Sequence, residues 1–275
     1  MKKNTILTAL VMAATITSCH AQKEIIWKIG ESDNNSAEFA LSQGEYQKFL
    51  EHDFGWEDKY FLIGNSEEQN DFPFVLPGAI DYWGGTSGLA GIRPHEINIL
   101  FGIETQPRTN DWQLIVDILD CNPENPPYLK ISVNGKSWKF KLENGLNPEA
   151  LKGEISNTKE QKINIPIPAN LLKKGGNHVQ LTILEGSWLI FDQVRLEGPA
   201  KASLLEPKNV FIRNITPANY ELDVKGKRFQ PLLLDVQHLQ ANPKIKVMLD
   251  GQQIFEEVVE HGRSIYEVPM NAVIE

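Results

Sequence analysis

Cysteine is scarce in this chain of 275 residues, which contains only Cys19 and Cys121. A disulfide framework or a cysteine-based zinc site is therefore excluded. The six histidines are dispersed singly, so no metal-binding histidine cluster is evident. The 27 basic residues are scattered and outnumbered by 36 acidic ones, giving a net charge of -9. Such a chain offers no cationic surface for nucleic acid.

Strong catalytic motifs are also missing. The sequence has no nucleophile elbow, phosphate-binding loop, His-Glu-x-x-His pattern or closely spaced cysteine pair, which counts against an enzyme. Neighbouring carboxylates, which can do acid–base work on a sugar, occur at Glu51 with Asp53, Glu57 with Asp58, and Glu67 with Glu68. With 36 acidic residues such pairs arise by chance, so we interpret them as solvated surface charge.

The one long apolar run lies at the extreme N-terminus. Two lysines precede apolar residues 6–16, and small residues follow, which predicts that residues 1–21 are a secretory signal. The run is too short for a bilayer-spanning helix of ~20 residues. Residues 16–19 resemble a bacterial lipobox in which Cys19 becomes the lipid-bearing first residue, whereas cleavage after Ala21 would release a soluble protein. We expect an exported protein: a bacterial outer-membrane lipoprotein at the cell surface, or a periplasmic protein.

Apolar residues in the remaining chain mostly alternate with polar ones, as in β-strands. Residues 128–142 predict a hairpin, because Asn134-Gly135 supplies the positive φ angles of a type I′ turn. The only helical periodicity is short, over residues 42–51. Further strands are predicted at 96–103, 112–119, 161–165, 178–184 and 188–196. This pattern favours an all-β fold, a β-sandwich.

Composition changes near residues 200–207, because all six tryptophans precede that point. We therefore predict a first domain over residues 22–199 and a second module over residues 207–275, with strands at 210–215, 220–224, 230–234, 245–249 and 254–259. The second is expected to be a smaller immunoglobulin-like or fibronectin-like β-sandwich. At about 70 residues it is shorter than the ~100 that such folds use, so we expect it to be incomplete.

Two segments combine aromatic and polar residues in the way that sugar binding requires, with a ring to stack on a pyranose and polar groups to bond its hydroxyls. One contains Trp56. The other contains Asp81, Tyr82 and Trp83, followed by glycines and then by Arg93 and His95. The glycines predict a loop, and loops carry the binding sites of many scaffolds. A tryptophan in such a chain can equally well belong to the core.

Two short motifs bracket the first domain. Residues 27–39 have the pattern W-x-I-G-x-x-D followed by E-F, and residues 191–199 have F-D-x-x-x-L-E-x-P. The bracketed region resembles the C-terminal, galactose-binding-like jelly roll of family 4 polysaccharide lyases, the rhamnogalacturonan lyases. In that family this jelly roll is a carbohydrate-binding accessory, and a separate preceding domain performs the lyase reaction.

The resemblance implies a non-catalytic carbohydrate-binding module, because the jelly-roll-like region here follows the signal directly. Its expected partners are a polysaccharide or oligosaccharide and a downstream catalytic module or partner enzyme. No organic cofactor is expected. Since a structural calcium ion is common in related jelly rolls, the resemblance also raises Asp33, Glu38 and Asp192 as possible oxygen ligands.

Two other hypotheses remain open. The chain could be the leading part of an active polysaccharide lyase or glycoside hydrolase, in which Arg93 and His95 supply a positive group and a base. It could alternatively be a structural β-sandwich that binds other proteins at the cell surface, which an exposed apolar patch without a sugar-sized groove would favour.

Overall fold

The computed structural model describes residues 23–42, 44–52, 54, 60–86, 94–108, 111–205, 210–238, 244–259 and 262–270. Ten strands precede residue 200: β1 Lys23–Gly30, β2 Tyr60–Leu62, β3 Val75–Leu76, β4 Glu96–Ile103, β5 Trp112–Cys121, β6 Tyr128–Val133, β7 Lys136–Lys141, β8 Gln161–Ile167, β9 Gly175–Glu185 and β10 Leu189–Pro199. Among these described residues the helices are short: α1 Glu68–Asp71 and four 3₁₀ segments, Tyr46–Lys48, Tyr82–Gly84, Pro148–Lys152 and Ala169–Leu171. Within the described ranges, no helix is long and apolar enough to cross a membrane. The protein is all-β, as predicted.

Two five-stranded sheets form a β-sandwich. The first has the order β1-β10-β5-β8, with β3 also paired to β10, and the second has the order β2-β4-β9-β6-β7. Their inward side chains make one continuous core that includes Phe101, Ile118, Leu181 and Phe191. Because side chains alternate along each strand, the outward positions of the second sheet carry a polar row that includes Asn98, which becomes important below.

The predicted hairpin is confirmed: β6 and β7 pair across Asn134 and Gly135, whose φ angles are 46° and 89°. The helix predicted over residues 42–51 is wrong, because only a 3₁₀ turn forms at Tyr46–Lys48. Gly44 just before it has a φ of 90°, a left-handed conformation that no α-helix accommodates.

After residue 200 the chain forms seven further strands: β11 Val210–Pro217, β12 Leu222–Val224, β13 Lys227–Phe229, β14 Pro231–His238, β15 Lys244–Leu249, β16 Gln252–Val258 and β17 Gly262–Pro269. β11, β14 and β17 make a three-stranded sheet, and the other four strands form two hairpins. This part has a small core of its own, built on Leu234, Val236, Ile245, Val259 and Val268. Its predicted immunoglobulin-like character and the boundary at residues 200–207 stay predictions.

Candidate functional site

The most exposed aromatic side chain among the described residues lies on the loop that follows β3. Tyr82 opens a 3₁₀ turn and is 80% exposed, and Ile80, two residues earlier, is 54% exposed. Both side chains project from the rim of the sandwich, where β9 ends and the chain turns into β10. We call Ile80 and Tyr82 the rim pair.

Internal hydrogen bonds hold this loop rigid. The buried Asp81 carboxylate accepts hydrogen bonds from the Gly78 amide (2.7 Å) and the Ser187 hydroxyl (2.6 Å). The Thr86 hydroxyl donates to the Gly78 carbonyl at 2.6 Å. Burial raises the pKa of Asp81 to about 6, and its two hydrogen bonds oppose that rise. Asp81 therefore anchors the loop, and its oxygens are committed to the protein itself.

Trp83 supports the loop from behind. It is half-buried and makes edge-on contacts with Tyr46, at 5.0 Å between ring centroids, and with Phe49, at 6.0 Å. His95 is buried against Phe49, and its Nε2 bonds the carbonyl of Gly84. A nitrogen facing a carbonyl must carry the proton, so this Nε2 is a donor. The arrangement argues against His95 as the base of a lyase reaction.

The structure thus brings Asp81, Tyr82, Trp83 and His95 together, but only Tyr82 faces solvent broadly. Trp56, Arg93 and Cys19 lie outside the described residues. Of the six tryptophans, Trp27, Trp112 and Trp188 are buried core residues. A sequence pattern cannot tell a core indole from an exposed ring, and only the structure shows that Trp83 is half-buried while Tyr82 is exposed.

A second feature lies on the outer face of the first sheet, where three carboxylates converge. One oxygen each of Asp117, Glu160 and Asp192 lies within 4.8 Å of the others. Lys162 approaches two of them, with its Nζ 2.7 Å from Asp117 and 3.0 Å from Glu160. Asp117 Oδ1 is buried and has no hydrogen-bond partner in the structure as described. We call these three acids the carboxylate cluster.

The loop after β1 covers the carboxylate cluster and changes its electrostatics. Ser32 donates to Asp117 Oδ2 at 3.0 Å, and the Asn35 amide donates to Asp192 Oδ1 at 3.1 Å. Burial raises the pKa of Asp117, and the hydrogen bond from Lys162 opposes the rise. Burial likewise raises the pKa of Asp192 to about 6. Asp117 and Asp192 have therefore lost solvation, whereas Glu160 is exposed and its hydrogen bond with Lys162 lowers its pKa.

The oxygen ligands expected for calcium are only partly brought together. Asp192 belongs to the carboxylate cluster, and Asp33 lies near enough to act on its charge. Glu38 instead accepts a hydrogen bond from the Glu31 amide at 2.7 Å. Sequence analysis missed Asp117, although a charged residue inside the apolar stretch of β5 is a recognisable signal.

The two packed sheets define a β-sandwich, and comparison with known proteins gives the carbohydrate-binding-module type and the family. Residues 25–196 match the CBM-like domain III of polysaccharide lyase family 4, and the chain belongs to that family. It is 24% identical over 182 residues to a rhamnogalacturonate lyase from Dickeya dadantii (strain 3937). That match covers 62% of this chain but only 27% of the enzyme.

Solved structures with similar folds share little sequence. A family 35 carbohydrate-binding module from an environmental isolate is 17% identical, with a TM-score of 0.28, and the match covers 39% of this chain and 71% of that module. An exo-chitosanase from Amycolatopsis orientalis is 12% identical, with a TM-score of 0.24, covering 90% of this chain and 28% of the enzyme.

Proposed function

We propose that this protein is an exported, non-catalytic carbohydrate-binding protein that serves a polysaccharide-degrading system. The observation that supports it most strongly is the rim pair, in which a tyrosine exposed over 80% of its surface stands on a loop clamped by Asp81. A rigid, exposed ring can stack on the apolar face of a sugar at little entropic cost. Backbone and side-chain polar groups nearby would bond its hydroxyls.

Family membership supports a pectic ligand, because the related enzyme is a rhamnogalacturonate lyase. We propose rhamnogalacturonan as the polysaccharide and a separate lyase or hydrolase as the catalytic partner. The N-terminal pattern supports export, with Cys19 as the lipid anchor on a bacterial outer membrane.

Purified protein is then expected to release no unsaturated products from rhamnogalacturonan, and rising ultraviolet absorbance from such products would contradict the non-catalytic role.

Replacing Tyr82 with alanine is expected to weaken binding of rhamnogalacturonan oligosaccharides at least tenfold, measured by isothermal titration calorimetry. Loss of the stacking surface and of the buried apolar area explains the size, since a factor of ten corresponds to about 1.4 kcal/mol. Tyr82→Trp should retain binding, because indole offers a larger face.

Tyr220→Ala is the matched control, because Tyr220 is an exposed tyrosine (40%) beyond the first sandwich. The affinity of the Tyr220→Ala variant for rhamnogalacturonan oligosaccharides should equal that of the wild type. Unchanged affinity in Tyr82→Ala would place the site elsewhere, and absence of binding by the wild-type protein to rhamnogalacturonan would refute the proposed ligand.

We also propose that the carboxylate cluster is a structural calcium site. Three carboxylates within 4.8 Å suit a hard cation that takes oxygen ligands at 2.3–2.6 Å, and the buried Asp117 Oδ1 has no partner among the described residues.

Calcium should raise the melting temperature by several degrees in the wild type and not in Asp192→Asn, as measured by differential scanning calorimetry. Asp33→Asn, a substitution in the loop that covers the carboxylate cluster, is the comparison variant in the same measurement. Equal melting temperatures with calcium and with chelator would contradict the site.

A further inference from the structure

A cavity of about 330 Å³ lies where the outer face of the second sheet meets the C-terminal strands. Its floor comes from β2, β4 and β9, and its roof from β11 and β14. The lining residues that matter here are Tyr60, Leu100 and His178 below, Ile212, Asn214 and Asp235 above, and Lys173 at the side. We call this space the junction cavity.

The floor of the junction cavity presents a hydrogen-bond acceptor of defined chemistry. Asn98 Oδ1 accepts from His178 Nε2 at 2.7 Å and from Gln180 Nε2 at 3.1 Å, while Asn98 Nδ2 donates to the Glu96 carbonyl. His178 Nε2 therefore carries the proton, and Nδ1 keeps its lone pair. Burial lowers the pKa of His178 to about 4, so the ring is neutral at pH 7. Across the described ranges, Nδ1 has no hydrogen-bond partner.

The side wall is built before any ligand arrives. Asn134 Nδ2 donates to the Leu171 carbonyl (2.8 Å) and to Asn177 Oδ1 (2.9 Å), and Asn134 Oδ1 accepts from the His178 amide (3.0 Å). Asn177 in turn bonds both the amide and the carbonyl of Lys173. Because these amides fix the turn that carries Lys173, little ordering is needed on binding.

The charges and surfaces of the cavity select a class of ligand. Lys173 and Asp235 carry opposite charges on its lining, so a neutral polar molecule fits better than an ion. Leu100, Ile212 and the Tyr60 ring add apolar surface between the polar groups. An apolar patch with a few convergent polar groups is typical of a small-molecule site, and about 330 Å³ lies at the small end of the usual range.

We propose that the junction cavity is a second carbohydrate subsite, which takes one neutral glycosyl unit. A hydroxyl group of that unit donates a hydrogen bond to His178 Nδ1. This proposal rests on the proposed function, but the two sites are physically separate. The rim pair lies beyond the end of β9 and the cavity at its beginning, about 25 Å apart at ~3.3 Å per residue. Separate variants can therefore remove each site.

Methyl NMR of the full chain tests the cavity directly. Ile212 and Leu100 report on the cavity, and Ile80 reports on the rim pair. Titration with L-rhamnose and with D-galactose should produce saturable shifts of the Ile212 and Leu100 methyl signals for at least one of the two sugars. D-galacturonate is the charged comparison and should bind more weakly.

Two variants separate the sites. Asn214→Trp fills the cavity from an exposed position, so the protein should fold, and it should weaken the titration of the Leu100 methyls at least tenfold. Thr216→Trp is the control, because Thr216 is exposed on the same face of β11 and is not part of the cavity lining. Tyr82→Ala should leave the cavity titration unchanged.

The outcomes distinguish the two proposals. Shifts at Ile80 without shifts at Leu100 and Ile212 would overturn the cavity site and leave the rim site standing. Shifts at Leu100 and Ile212 that disappear in Tyr82→Ala would also overturn it, because one site would then explain both signals. Shifts at the cavity methyls that survive in Asn214→Trp would show that the sugar binds elsewhere. Absence of shifts at all three positions would refute both proposals.

Discussion

Gly30→Ala should destabilise the protein by about 2–4 kcal/mol, among the larger effects of a single added methyl group. Gly30 ends β1 with a φ of 78°, and a Cβ there would lie 2.3 Å from Phe39 Cζ and 2.5 Å from the backbone oxygen of Asp192. The Asp192 oxygen belongs to β10, the strand that pairs with β1, so it cannot move without disturbing the sheet. Urea unfolding measures the loss.

Gly135→Ala is the matched control for Gly30→Ala. Gly135 has a similar φ of 89°, but no atom lies within 4 Å of the added Cβ. Its substitution should cost only the left-handed backbone term, about 1 kcal/mol. If both variants lose the same free energy, the close contact of Gly30 with Phe39 and Asp192 contributes nothing and the explanation is wrong.

In calcium-free buffer, Lys162→Met should destabilise the protein at pH 7 by about 2–3 kcal/mol, because it leaves the buried Asp117 carboxylate without its counter-charge. Asp117 has no side-chain exposure, whereas the side chain of Lys162 is 37% exposed, which keeps the expected value below that of a fully buried pair. Methionine preserves the length and apolar stem of lysine. Thermal and urea unfolding at several pH values provide the measurement.

The pH dependence of Lys162→Met follows from the raised pKa of Asp117. A protonated Asp117 needs no counter-charge, so the difference in unfolding free energy from the wild type should shrink as the pH falls through that raised pKa. Lys159→Met is the control, because Lys159 and Glu143 form an exposed pair at 2.9 Å whose separation should change the unfolding free energy little. A pH-independent deficit in Lys162→Met would contradict the electrostatic cause.

Local signals predicted much of the strand content. Alternation located β4 with its observed bounds, and Asn134-Gly135 located the turn between β6 and β7. The same signals underestimated β9, which begins at Gly175, because glycines carry no alternation. They also missed β17, although Ile265 and Val268 lie within it.

The candidate sites were less accessible to sequence reasoning. The rim segment around Asp81 and Tyr82 was predicted as a site because it combines aromatic and polar residues beside glycines, and its role in binding stays a prediction. Of the carboxylate cluster only Asp192 was predicted, since Asp117, Glu160 and Asp192 are far apart in the chain and meet only through the pairing of β5 with β8 and β10. The junction cavity was missed for the same reason, because its lining comes from both parts of the chain.

The order of residues by itself determined that this protein is built from strands and where its main hairpin turns, because alternation and turn chemistry act between near neighbours, and it carries the motifs by which residues 27–199 resemble their family. Tertiary structure decided that Tyr82 faces solvent while Trp83 and His95 pack behind it, and that the buried Asp117 and Asp192 meet the exposed Glu160. Exposure and charge proximity depend on which strands become neighbours, and no local pattern encodes that pairing.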